Sequence, residues 1–255
     1  MSEGKVDSII SNGIAEITFS HPQSNSLPSS LLMQLATEIE KAGSDQQAKV
    51  ILLKSEGEKT FCAGASFDEL VAIENIEQGK QFFSGFAAVL NAIRKAPKFV
   101  IARVQGKAVG GGVGIACAAD YTFAVETASV KLSELAVGIG PFVVGPAVER
   151  KIGTAAFSAL SINATEWQSA QWAKEKGMYA EIFSSALEMD NSLNALTQKL
   201  TASNPEAMQA LKKVFWEGTD HWDTLLIERA MISGRLVLSE FTRSSIRKFK
   251  EGQKP

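Results

Sequence analysis

The stretch Gly106-Lys107-Ala108-Val109-Gly110-Gly111-Gly112-Val113-Gly114-Ile115-Ala116-Cys117-Ala118-Ala119-Asp120 decides how this chain reads. It follows an apolar run, Phe99 to Val104, that reads as a buried strand, and it continues into small apolar residues of helical character. The glycines therefore sit where a strand becomes a helix. Glycine lets a backbone approach a ligand closely, and the first turn of a helix carries N–H groups without intrahelical partners. Such a junction suits a developing negative charge. It is not a dinucleotide fingerprint, because the sixth place counted from Gly110 is Ile115. It also lacks the Gly-Lys-Ser/Thr of a phosphate loop. Taken alone, the glycines fit close helix–strand packing as well as they fit a binding role.

Working outward, Asn12-Gly13 predicts a hairpin between strands at Asp7–Asn12 and Ile14–Ser20. Ser26 and Pro28 mark the start of a helix with Leu31, Leu35 and Ile39 on one face, stopped at Gly43-Ser44-Asp45. Val50–Leu53 reads as a buried strand, and residues 57–66 as a loop. A helix over Gln78–Lys95 carries Phe82, Phe86, Val89, Leu90 and Ile93, and Pro97 ends it. Beyond the glycines come a strand at Tyr121–Val125, an extended piece at Val130–Glu134 and a Gly/Pro loop at Val137–Gly145. Thr165 and Gln168 form a capping-box pattern for a helix that stops at Gly177. From Ser184 onward the pattern is helical, divided at Asn204-Pro205. The rhythm is strand–strand–helix, clearest over residues 7–42, followed by an all-helical end; no exact repeat is visible.

The chain has 255 residues, 45% hydrophobic and 21% charged, the makeup of a globular protein with a sizeable core. Its net charge of −2 gives no basic face for nucleic acid or an anionic membrane. No apolar stretch approaches the length of a membrane span, and Met1-Ser2-Glu3-Gly4-Lys5 has no signal-peptide core. The two cysteines, Cys62 and Cys117, lack metal-ligand spacing, so a reduced, cytoplasmic setting is expected.

Glu134 lies between Leu132 and Leu135, before the Gly/Pro loop. Partial burial there would raise its pKa toward acid–base work; a solvated strand-end acid is the plainer reading. His21 and His221 have no carboxylate or nucleophile at diagnostic spacing, so neither a metal site nor a Ser/His triad is expected. Cys62 reads as a small buried filler. Lys212, Lys213, Arg243, Arg247, Lys248 and Lys250 make the last helices basic: a solvated face, or a clamp for a phosphorylated ligand.

Phe61-Cys62-Ala63-Gly64-Ala65-Ser66-Phe67, Gln105 to Gly112 with Asp120 after it, and Leu132-Ser133-Glu134 through Gly138 to Pro141 together resemble the enoyl-CoA hydratase/isomerase (crotonase) family. Asn163-Ala164-Thr165-Glu166 to Gly177 is similar to a later helix signature of that family. Order and spacing match over nearly the whole chain. The resemblance implies an α/β fold, a spiral of ββα units, with a core at residues 1–197 and a helical trimerisation region at 198–255. It implies a homotrimer or a hexamer of paired trimers, and acyl-CoA thioester substrates that bring CoA with them, with no separate cofactor. By motif position the N–H groups of Ala65 and Gly111 would hold a thioester enolate, with Glu134 as acid/base. Ser24, Ala63, Ser66, Phe67 and Gly110 would line the CoA-binding loops.

Two departures stand out. Where the best-known hydratases carry a first glutamate, this chain has Gly114; where the acid loop usually reads Gly-Ala-Asp, it has Ser66. Glu134 as the single acid is most similar to a methylglutaconyl-CoA hydratase-like branch, and single-glutamate members also include double-bond isomerases. The expected reaction is enoyl-CoA hydration, with isomerisation or a non-catalytic CoA-binding role as alternatives. Leu70, Ile73, Phe82, Phe86, Phe142 and Val143 are the expected walls of the acyl pocket.

Overall fold

The computed structural model describes residues 4–250; residues 1–3 and 251–255, the outer ends of the two expected segments, lie outside the described residues, as do the side chains of Phe249 and Lys250. The Asn12-Gly13 turn, with both residues at positive φ, joins β1 (Lys5–Ser11) to β2 (Ile14–Ser20) as the expected hairpin. Helix α1 (Ser29–Ser44) follows, then β3 (Val50–Ser55), β4 (Thr60–Cys62), α2 (Phe67–Ala72) and α3 (Ile76–Lys95). Next come β5 (Val100–Val104), β6 (Lys107–Val109), α4 (Gly111–Ala118), β7 (Tyr121–Val125) and β8 (Ser129–Lys131). The extended piece expected to reach Glu134 thus stops at Lys131, and a 3-10 turn at Leu135–Val137 takes over.

The chain continues with α5 (Gly145–Ile162, kinked at Gly153), β9 (Gln168–Ser169), α6 (Ala170–Glu175) and β10 (Glu181–Phe183). Four helices close it: α7 (Ala186–Thr201), α8 (Pro205–Phe215), α9 (Trp222–Leu236) and α10 (Glu240–Lys250). The Thr165/Gln168 capping box does not form. Gln168 and Ser169 pair with β8 instead, and the Ser169 hydroxyl caps α6 by accepting the Trp172 N–H at 3.1 Å.

The strands form two sheets in step. One has the order β1-β2-β3-β5-β7-β10, the other β4-β6-β8-β9. Strand pairs β3/β4, β5/β6 and β7/β8 each give one strand to either sheet before the chain turns to a helix or turn. The repeat is therefore three-dimensional: its members share a path and not a sequence. The large sheet is parallel except for β1, and its strands are nearly unbroken apolar runs (Val50–Leu53, Val100–Ala102), as a sheet covered on both faces requires. In the small sheet β4, β6 and β8 are parallel neighbours, so their C-terminal ends emerge side by side. Among the described residues no helix is long and apolar enough to cross a membrane.

Asp120, just past α4, holds the helical end to the sheets. Its carboxylate accepts the Val100 N–H (2.7 Å), the Lys212 ammonium (2.5 Å) and the Trp216 indole N–H (3.1 Å). Lys212 is 2% exposed, so it is a structural cation and not part of a phosphate clamp.

Candidate active site

Three parallel strand ends build the site. Ala65 comes three residues after β4, Gly111 two after β6 and Glu134 three after β8. Neighbouring strands lie about 4.8 Å apart, so residues at matching distances past their ends converge. Carboxyl ends of parallel strands are also where α/β folds bind ligands. Ala65, Gly111 and Glu134, far apart in the chain, line one cavity of about 60 Å³.

Local hydrogen bonds aim each group. The Leu27 N–H donates to the Gly64 carbonyl (2.8 Å) and the Ser66 N–H to the Leu27 carbonyl (3.3 Å), which leaves the Ala65 N–H turned away from that strand. Gly111 is the first residue of α4, where no carbonyl lies one turn back to receive its N–H. Among the described residues neither N–H has an acceptor. The Gly110 N–H donates to the Lys131 carbonyl (2.9 Å) and ties the start of α4 to the strand that delivers Glu134.

Gly110 has φ +51°, a conformation that favours glycine, and a Cβ there would lie 3.0 Å from Glu134 Oε1. The carboxylate thus rests on bare backbone. A Cβ on Gly111 would fall 2.0 Å from the Phe86 ring, so the aromatic wall can lie directly against the helix start.

Glu134 carries the electrostatic signature of the site. Its Oε2 is out of contact with water and has no hydrogen-bond partner among the described residues. Burial pushes its pKa up from 4.5 to about 7, opposed in part by a hydrogen bond to its own backbone N–H. Its carbonyl accepts the Val137 and Ile139 N–H groups at 3.2 and 2.9 Å, which fixes the turn beneath it. The surroundings are Phe67, Leu70, Phe83, Phe86, Val137 and Ile139. Such a carboxyl group changes charge near neutral pH and can both take and return a proton.

Val144 faces Gly114. A Cβ there would lie 2.5 Å from both Cβ and Cγ1 of Val144. The place of a second acid is filled by an aliphatic side chain from the Gly/Pro loop, so Glu134 has no carboxylate opposite it at that position.

The other expected residues divide. Ala63, Phe67 and Gly110 line the cavity. Ser24 does not; its backbone, at φ +54°, offers a carbonyl to the Ala63 N–H (3.1 Å). Ser66 is buried, and its hydroxyl caps α2 by accepting the Glu69 N–H (3.4 Å). Leu70, Phe86, Phe142 and Val143 are walls as expected, whereas Ile73 and Phe82 are not: one helical position along, Phe83 takes the place given to Phe82. Ser233 of α9, which packs along α3, completes the cavity; nothing in the local sequence marks it.

The family model for Enoyl-CoA hydratase/isomerase matches residues 9–255. The chain is 32% identical over 202 residues to the carnitinyl-CoA dehydratase of Escherichia coli K12, covering 79% of this chain and 76% of that one. It is 30% identical over 200 residues to the mitochondrial methylglutaconyl-CoA hydratase of Rattus norvegicus, covering 77% and 63%. The crystal structure of an enoyl-CoA hydratase from Mycobacterium avium superposes with a TM-score of 0.83 at 25% identity, over 98% of this chain and 97% of that one. Dehydratase and hydratase relatives thus lie at nearly equal identity and single out no branch. With the match over nearly its whole length and a fold shared with solved members, the chain belongs to the enoyl-CoA hydratase/isomerase family.

Proposed function

We propose that this enzyme adds water across the double bond of a 2-enoyl-CoA thioester, using the Ala65 and Gly111 N–H groups as an oxyanion hole and Glu134 as the one acid/base. The observation that carries this reading is the convergence of two acceptor-free N–H groups with a carboxylate of raised pKa, its Oε2 without a partner among the described residues, in one apolar cavity.

The thioester oxygen sits between the two N–H groups. Ionised Glu134 takes a proton from water as the water oxygen bonds to the β-carbon. The π electrons move toward the carbonyl, and the enolate oxygen gains charge against donors already in place. Glu134 then gives its proton to the α-carbon, the enolate collapses, and the hydroxyacyl thioester forms. Each donor contributes roughly 3 kcal/mol of transition-state stabilisation in comparable sites. CoA enters and leaves as part of the substrate, and loops near Ala63 and Phe67 would hold it.

A second reading has its own observation. With Val144 against Gly114, a lone carboxylate suits a reaction that needs one proton carrier: removal at the α-carbon and return at the γ-carbon, a double-bond isomerisation. Purified protein is offered 2-enoyl-CoA and 3-enoyl-CoA separately. Hydroxyacyl product supports hydration, and interconversion without it supports isomerisation. No turnover with acyl-CoA binding intact would refute both. The trimer or paired trimer belongs to the same proposal, supported by large apolar side chains left exposed at Leu187, Val214 and Phe241. Light scattering would then give about three or six times the 27.4 kDa chain mass.

A further inference from the structure

A second chamber adjoins the first. Pro141 and Phe142 line both the inner cavity that holds Glu134 and an outer one of about 330 Å³. Helix α9 runs past the two. Ser233 lines the inner cavity and Arg229, four residues earlier, lines the outer one. Residues four apart share a helix face, so one face of α9 borders both cavities.

The outer chamber holds an unmatched cation. Among the described residues the Arg229 guanidinium has no hydrogen-bond or ion-pair partner. Glu149 lines the same chamber, but it is exposed and accepts the Thr154 hydroxyl at 2.6 Å, with no ion pair to Arg229. The first turn of α5, at Gly145 and Pro146, forms another wall and has no side-chain cap, so its partial charge adds to that of Arg229. A guanidinium is best satisfied by a carboxylate, which it grips with two parallel N–H···O bonds. The inner cavity is small, and Pro141 and Phe142, the walls it shares with the outer chamber, are where an acyl chain extending past the reacting carbons would pass from one to the other.

We infer that the acyl group ends in a carboxylate, which passes Phe142 and pairs with Arg229 in the outer chamber, making the enzyme selective for CoA thioesters of dicarboxylic acids. This rests on the placement of the thioester at Ala65 and Gly111 given above. Arg229 is then a specificity residue remote from the reacting bond, and Phe142, packed against Gly140, forms the passage between the chambers.

Saturated thioesters test this without turnover. Glutaryl-CoA and pentanoyl-CoA have the same chain length and differ in the terminal carboxylate; adipyl-CoA and hexanoyl-CoA repeat the comparison one carbon longer. Isothermal titration should show the carboxylate member of at least one pair binding wild type roughly tenfold or more tightly. Arg229→Gln should remove that preference while leaving pentanoyl-CoA affinity within about twofold, which also shows that the variant folds. Arg229→Lys should keep part of the preference, and Glu149→Gln should strengthen carboxylate binding alone. Equal affinities within both pairs in wild type, or a preference that survives Arg229→Gln, would overturn the assignment. Failure of the hydration assay with this preference intact would instead count against the proposed reaction.

Discussion

Glu134 should cost this protein stability in a pH-dependent way, and Glu134→Gln isolates that cost. The carboxyl group has a pKa of about 7 in the folded chain against 4.5 when free, because burial penalises the charged form. A raised carboxyl pKa means the folded state keeps its proton when the unfolded state has already lost it. Stability therefore falls as pH rises from about 4.5, and the loss is complete above about 7. The gap between 4.5 and about 7, at about 1.36 kcal/mol per pKa unit, corresponds to roughly 3 kcal/mol. Glutamine has nearly the same shape and no ionisation. It should match wild type near pH 4.5 and exceed it by up to about 3 kcal/mol at pH 8, or several degrees in Tm for a chain of this size. Urea unfolding at pH 5, 6, 7 and 8, at one protein concentration, measures the difference. The same variant should lose nearly all turnover while still binding acyl-CoA. In wild type, kcat/KM should rise with pH through an apparent pKa of about 7, as ionised Glu134 becomes available. A stability difference that stays constant across this range would refute the claim that Glu134 is held by burial against its charge.

Gly111→Ala places a methyl 2.0 Å from the Phe86 ring and must displace either the ring or the N–H beside it. Turnover should fall roughly a hundredfold with acyl-CoA affinity little changed, and Phe86→Leu in the same chain should restore part of it. Gly114→Glu, which would add the second acid, should instead destabilise the fold by about 1–3 kcal/mol without raising activity, because Val144 occupies the space. Val144→Gly alongside it should recover the stability; if Gly114→Glu alone unfolds like wild type, Val144 is not the obstruction. Lys212→Met removes the ammonium from a buried pair and should cost about 3–5 kcal/mol by urea unfolding, partly recovered by adding Asp120→Asn. The folded fraction should keep its kcat, since neither residue lines the cavity.

What the sequence made legible was local or motif-borne. The hairpin at Asn12-Gly13 and the strand-to-helix junction at the glycines are written within a few residues, because backbone conformation is a short-range property; Glu134 reads locally as a solvated strand-end acid, and only the order of the motifs around it gives it a role. The capping box at Thr165 failed for a tertiary reason: β8 pairs with Gln168–Ser169, and a strand partner outcompetes a local cap. Phe82 and Phe83 could not be told apart as pocket walls, because one step along a helix turns a side chain by about 100°, and the packing of α3 sets that phase. Lys212 looked like surface charge because its partner, Asp120, lies 92 positions earlier. Gly114 shows the limit most sharply. Its sequence says that an acid is missing; only the fold says that Val144 has closed the space, so restoring the acid alone would not restore a two-carboxylate site. The loss at one position and the filling at another form one packing event, and any variant that returns this chain to two-acid chemistry must reverse both.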